Sequence, residues 1–488
     1  MNPVQEQLSG YAGFTTDLFI RFLKYSAIGF VAVTLTTINA FECAHIWVEN
    51  IELAAEKDEE VKKWQWDVES ERWSGGSGGG TDPGLGFLGR HAVRAAWMAQ
   101  NWGIGSEGSV MSSNAFSGRA RSGVSGLNVV EARLEVAQSF LNIALKYAQE
   151  RSASGQLRAQ TIAELLARHA NIMERMGQRD ALYEARSEYE RVWAGQPGKG
   201  IDAARTAVKL GDLSRRLGEY EDALSWWSRA MYLVKGSSGA APAEILATVP
   251  DSVPTEPLAQ RTFVSTLVSL SAFYATTGQL RKAKAVEESS LALLQSIPQS
   301  KTSESASPPE SLHAFYILHR SALLSIHLAE VLYARSKKQT SSLEWLARAA
   351  ESSERVALSL TGLPAIHPDA PESKIPHPPS TDAPLISVYA KSISLKRPAK
   401  SLLRDARRTA AEAWNLTGIL TESHDTPGSK ERALECYERA LGWAGVAADR
   451  AGGIGRPGEG TLEDEWKALW SNYVRVREAV KNKASGNK

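Results

Sequence analysis

His313, His319 and His327 offer metal-ligating and proton-transferring rings in one stretch of the chain. Their spacing does not produce the i,i+4 pair that a helical metal site needs, so they read as packing or helix-surface histidines. Glu219 with Glu221, and Glu431 with Glu435, supply the group type used in general acid–base chemistry. Nothing in the pattern places either pair in a cleft, and both read as solvated helix faces. HExxH, P-loop, nucleophile-elbow and CxxC motifs are all absent. The run carrying Gly84, Gly86 and Gly89 has dinucleotide-fingerprint spacing, but it follows a glycine-rich stretch where that motif requires a strand. Trp226, Trp227, Trp345 and Trp466 could form a ligand box, yet at helical spacing they read as core. The expectation is a protein without catalytic activity, cofactor or metal, working by binding.

Composition agrees with that expectation. A formal charge of +1 over 488 residues provides no general basic field, so nucleic acid is not an expected partner. Cys43 and Cys436 lie far apart and suggest neither a disulfide framework nor a thiolate metal site. Alanine, serine, leucine and arginine dominate the C-terminal three quarters, and strand alternation is scarce. The fold class is therefore all-α, with glycine marking linkers between helices.

Five regions are expected. Residues 1–24 form a short N-terminal tail and 25–45 an anchor, with no charge from Tyr25 to Phe41. Counted from Leu18 to Val48, the stretch is long enough to cross about 30 Å as a slightly tilted helix. Arg21 and Lys24 can snorkel to one interface, and Trp47 suits the other. A spanning helix is the expectation; a buried or interfacial helix is the alternative. Basic residues precede the span, and Glu42, Glu49, Glu52, Glu56, Asp58, Glu59 and Glu60 follow it. The positive-inside rule then keeps the N-terminus on the cytoplasmic or matrix side and exports the remainder. No small-residue cleavage site follows, so the anchor reads as uncleaved. Residues 46–73 are expected to continue as a polar juxtamembrane helix bearing Trp64, Trp66 and Trp73. Residues 74–126 read as a Gly/Ser-rich linker region.

The fifth region, residues 127–485, carries a repeated pattern. Around Ala204 the residues Leu210, Gly211, Gly218, Tyr220, Ala223, Trp227 and Ala230 describe two helices joined by a glycine turn, with small residues where they approach. This resembles the tetratricopeptide repeat, an antiparallel helix pair of about 34 residues. Residues 264–297 carry a looser copy through Leu270, Tyr274, Gly278, Leu280, Ala283 and Leu291. Another uses Trp414 and Gly418, then Ala433, Tyr437 and Ala440 after a loop about three residues longer than the family's. Weaker copies run over 166–192, with Ala170, Gly177, Ala185, Tyr189 and Val192, and over 321–352, with Ala329, Tyr333 and Ala350. Helix 128–150 is expected at the front of the array. Residues 463–484, with Trp466, Trp470, Tyr473 and Val474, read as its cap. Gly236–Leu258, Gln299–Pro309 and Leu363–Pro384 read as Pro/Ser-rich loops. A different α-solenoid or an irregular bundle is the alternative.

Such an array binds peptides or helices on the face formed by its first helices. The family's carboxylate clamp uses lysine and asparagine at fixed first-helix positions. Here Lys209 is one position late and Asp212 replaces the asparagine, which argues against that clamp. Arg397, Lys400, Arg404 and Arg408 share one face if helical and form a candidate site for an acidic partner segment. The whole layout resembles a fungal mitochondrial inner-membrane family that acts as adaptor for the AAA protease facing the intermembrane space. The resemblance implies unfolded client proteins and that protease as partners. A structural or assembly subunit of another membrane complex is the alternative function, and the endoplasmic-reticulum membrane the alternative location.

Overall fold

The computed structural model describes residues 3–69, 72–103, 109–111, 129–196, 198–236, 249–250, 252–297, 306–336, 339–363, 383–424, 426–448, 454–457 and 465–486. Parts of the expected linker and of the three Pro/Ser-rich loops lie outside these residues.

The chain is all-α apart from two short antiparallel pairs. It opens with α1 (Pro3–Trp47), a single helix that takes in both the expected tail and the anchor. A π-turn at Val48–Glu52 ends it. Next come α2 (Glu59–Lys63) and α3 (Trp66–Glu69), so residues 46–73 are not the continuous polar helix expected. Asp58 caps α2 by accepting the Glu60 amide. Within the expected linker, α4 (Gly86–Trp102) is a substantial helix that buries Ala92, Val93, Ala96 and Ala99. The strands β1 (Ser109–Met111) and β2 (Val129–Glu131) pair, and α5 (Ala132–Ser152) follows.

Helix pairs then succeed one another. They are α6 (Thr161–Met176) with α7 (Arg179–Gly195), α8 (Ile201–Leu217) with α9 (Tyr220–Val234), and α10 (Pro257–Thr276) with α11 (Leu280–Gln295). Two more are α12 (Pro308–Ser336) with α13 (Gln339–Thr361), and, after the short α14 (Ser387–Lys391), α15 (Ile393–Glu422) with α16 (Ser429–Ala444). The strands β3 (Val446–Ala448) and β4 (Ile454–Pro457) pair before the terminal α17 (Glu465–Gly486).

Two compact units result: Met1–Ala55 with Arg72–Leu165, and Glu56–Glu71 with Leu166–Lys488. In the first, Leu18, Phe22, Phe30, Val33 and Phe41 on α1 are all more than half exposed. From Thr16 to Glu52 the helix is long and apolar enough to cross a membrane, and its apolar window has no protein cover. Helix α5 packs on α4 and belongs to this unit. The glycine stretch before α4 is fitted rather than loose. Ala54 bridges to Gly79, and the Gly80 amide donates to the Leu53 carbonyl at 2.6 Å. Gly79 has φ +69°, and a β-carbon there would strike the Ala55 amide, so only glycine allows this approach. The Glu49 carboxylate accepts from the Thr81 amide and hydroxyl, both at 2.8 Å, and from Arg90 at 2.9 Å.

The second unit is the repeat array. Each second helix packs on its own first helix or on the next one, and α8, α10, α12 and α15 contact in succession. Gly218 and Gly278 close their first helices in the left-handed region, at φ +87° and +75°. In both cases the following amide reaches back five residues to a helix carbonyl, Glu219 to Ser214 and Gln279 to Tyr274. At the far end, α17 buries Leu469, Tyr473 and Val476 against the core that contains Tyr437 and Leu441.

Candidate functional site

Residues 56–69 lie within the repeat unit, and the helices that hold them are first helices. Trp66 is 1% exposed and packs with Val61, Leu312, Leu395 and Leu402. Its Nε1–H donates to the Pro309 carbonyl in the first turn of α12 at 2.9 Å. The Arg261 guanidinium of α10 lies 3.9 Å from the centre of the same ring. Arg261 is as deeply buried as Trp66 and spends its donors on this segment. Nη1 and Nη2 donate to the Trp64 carbonyl at 3.2 Å, Nη2 donates to the Gln65 carbonyl at 3.0 Å, and Nε pairs with Glu69. Burial draws the guanidinium below its usual range while Glu69 opposes the shift. From α8, Arg205 donates to the Val68 carbonyl at 3.2 Å.

The grip is reciprocal. Gln65 sits between the two short helices at φ +54°, an uncommon conformation for a residue with a side chain. Its Oε1 accepts the Leu258 amide at 2.9 Å, in the first turn of α10, where Pro257 occupies the opening position. It thereby satisfies a helix-start donor that has no intrahelical acceptor. His313 supports the arrangement from α12. Its Nδ1 must accept from Arg261 at 3.1 Å, which leaves Nε2–H to donate to Gln260 Oε1 at 2.8 Å. Burial, then the Arg261 charge, lowers the His313 pKa to about 3, so the ring is neutral. The Trp64 ring is tilted 5.2 Å from that of His313. Arg320 of α12 stacks on Tyr316 at 4.9 Å; burial works against its charge, but Tyr316, Asp405 and Glu69 hold the pKa above its usual range.

This face therefore carries cationic groups, a slot for one indole and donors for backbone carbonyls. The segment it holds contains six acidic residues against three lysines. Its tryptophans and acids stand out in the sequence but read there as part of a polar juxtamembrane helix over 46–73. Trp64 and Trp66 stand two apart, a spacing that fits no helical stripe and marks the break between α2 and α3.

Most of the residues expected to pack the repeats lie in the core. Leu210, Ala223, Trp227, Ala230, Ala283, Ala433, Tyr437 and Ala440 are fully buried. A β-carbon built on Gly211 would lie 2.5 Å from Trp227 Nε1, and one on Gly418 would lie 2.7 Å from Tyr437 Cε1. Tyr220 differs: it is half exposed and meets the Phe273 ring edge to face, at 5.6 Å between ring centres. Trp414 is half-buried; its Nε1–H donates to Glu354 at 2.7 Å. Arg439, at 2.5 Å from both nitrogens used, and Trp443, at 2.7 Å, converge on the same carboxylate. The role of Glu354 is not legible in the sequence, because its partners come from α15 and α16.

Lys209 and Asp212 are committed inside the array. Lys209 pairs with Glu174 at 2.9 Å; burial opposes its charge, yet Glu174 and neighbouring groups raise its pKa. Asp212 accepts the Trp227 Nε1–H at 3.2 Å. Arg397, Lys400, Arg404 and Arg408 are exposed and lie on one face of α15. Arg404 is 3.7 Å from Asp405. His319 meets Thr409 at 3.0 Å and His327 meets Ser271 at 2.9 Å, both as interhelical packing contacts. The one metal-capable group found among the described residues, His169 with Glu184 and Glu188, holds a buried His169–Glu188 contact at 2.8 Å between α6 and α7. Among the described residues no strand precedes the glycine run at Gly84–Gly89; Asp82 caps a 3-10 turn there instead.

Neither family models nor curated proteins match this chain.

Proposed function

We propose that this chain is a membrane-anchored adaptor that binds segments of other proteins on the first-helix face of its repeat array. The observation that carries this reading is residues 56–69. Four successive first helices grip a short stretch of chain through its backbone carbonyls, one indole and one carboxylate, the set of contacts by which a groove recognises a peptide. The face is polar, with one deep apolar slot, which favours clients that come and go over a permanent subunit contact.

By resemblance to the tetratricopeptide adaptor family, the clients are unfolded or substrate proteins. The destination is a membrane-bound AAA protease at the mitochondrial inner membrane, with the repeat array in the intermembrane space. Purification of the full-length protein from mild detergent, with partners identified by mass spectrometry, tests this. Stoichiometric recovery of a hexameric AAA protease is the expected result. Recovery of a different stable complex without a protease overturns it and makes the chain an assembly subunit.

A further inference from the structure

We propose that residues 56–69 are a built-in pseudo-ligand, and that the first-helix face takes in their place a partner's short acidic segment carrying a tryptophan. The inference rests on the binding reading above and names the chemistry of the ligand.

Three observations lead to it. First, the segment does not form its conformation unaided. Helices of five and four residues are far below the length that is stable alone, and Gln65 is held in the left-handed region. The receptor face imposes the shape, and release relieves the strain at Gln65.

Second, the receptor demands a particular replacement. Once vacated, the face presents the Arg261 guanidinium without Glu69, an open indole slot beside the Pro309 carbonyl, and Arg205 without the Val68 carbonyl. A partner satisfies these groups only with a carboxylate, a tryptophan and an accessible backbone. Neutral or basic segments leave Arg261 buried and unpaired. Arg320, whose charge Glu69 also favours, adds to that selection.

Third, the occupant belongs to the same chain as the face, so it competes with a partner intramolecularly and at every protein concentration. A partner segment then binds the intact chain with an apparent affinity reduced by the fraction of faces that stand open. The device makes the array selective: weak or incidental segments do not displace the resident one.

The test uses full-length protein in detergent micelles and a fluorescein-labelled synthetic peptide of residues 56–69, followed by anisotropy. Trp66→Ala in the chain is expected to bind the peptide at least about tenfold tighter than the unmodified chain, as a freed site should. Adding Arg261→Ala abolishes that binding, and a peptide with both tryptophans replaced by alanine does not compete. Equal or weaker binding by a Trp66→Ala chain of unchanged helicity overturns the proposal and makes the segment a permanent strut.

If Trp66→Ala loses helicity, hydrogen exchange on the unmodified chain decides. Amides of 60–69 exchanging at least about tenfold faster than those of α10 and α12 support an occupant that leaves independently; equal rates overturn it. Peptide binding without any recovered cellular partner would count against the adaptor reading and leave the pseudo-ligand intact. Partners recovered equally from both chains, with no peptide binding, would do the reverse.

Discussion

Arg261 lies 3.9 Å above the ring of Trp66 and ion-pairs with Glu69 three residues further on, so one buried guanidinium holds both an indole and a carboxylate of a segment nearly two hundred positions away. Arg261→Ala removes the counter-charge of Glu69 and the donors to the Trp64 and Gln65 carbonyls. The expected destabilisation of the repeat array is about 3–5 kcal/mol, the range for breaking a buried pair. Arg261→Lys does not restore it, because an ammonium cannot serve ring, carboxylate and two carbonyls together. Urea denaturation followed by far-UV circular dichroism measures both variants; equal midpoints for Arg261→Ala and the native chain would refute the prediction.

In the pairs α8/α9 and α15/α16 a glycine of the first helix faces an aromatic ring of the second. Gly418→Ala puts its β-carbon 2.7 Å from a ring atom of the fully buried Tyr437, which has no room to withdraw. The expected cost is about 1–3 kcal/mol of overpacking. In a Tyr437→Leu background the same substitution should cost less than about 0.5 kcal/mol. A double-mutant cycle on the melting transition checks this, and additive costs would show that the contact is not the cause.

Glu354 draws together Trp414, Arg439 and Trp443. Glu354→Ala strands a buried guanidinium and should destabilise by about 3–5 kcal/mol. Replacing Glu354 and Arg439 together by methionine should recover much of that loss, since the pair's desolvation cost disappears with it. A double replacement as unstable as the single one would show that the hydrogen bonds to the tryptophans dominate.

Glu287 is fully buried and accepts the Ser271 hydroxyl at 2.9 Å. Burial raises its pKa to about 7. The folded chain therefore holds a proton that the unfolded chain has released between its ordinary carboxylate pKa and 7. Its contribution is fully present below that ordinary value and is lost as pH rises through 7. Glu287→Gln keeps a neutral group there, so at pH 8 it should stabilise by on the order of 1–3 kcal/mol and at pH 4 by little. Denaturation midpoints at the two pH values decide; a gain of equal size at both would refute the titration argument.

The apolar surface of α1 is uncovered by protein. Val33→Arg near its middle should reduce membrane insertion by about 2.5–3.5 kcal/mol. Carbonate extraction would then move the variant from the pellet to the supernatant, while the native chain stays in the pellet. Native protein in the supernatant would remove the anchor.

Much of the architecture is readable from local pattern. Apolar periodicity, glycine at Gly218 and Gly278, and glycine opposite an aromatic are local rules of helix pairing, and the better-formed pairs restate them over a few tens of residues. The uncharged run from Tyr25 to Phe41 is equally local: its length and polarity alone decide whether it can span. The sequence by itself therefore determined the all-α class, the apolar N-terminal helix and the packing residues of the better-formed pairs.

What only the tertiary structure decided depends on residues brought together from distant parts of the chain. Gly79 looks like linker in composition, but its φ and its approach to Ala55 are set by a bridge to Ala54. Helix α5 carries a generic amphipathic pattern, and only its contact with α4 assigns it to the first unit. Residues 56–69 have too few turns for a periodic signal, and their partners Arg205, Arg261 and Pro309 lie far along the chain. Local propensity acts over a few residues, whereas the place of a short, strained and charged segment is set by whichever surface satisfies its carbonyls, carboxylate and indole at once.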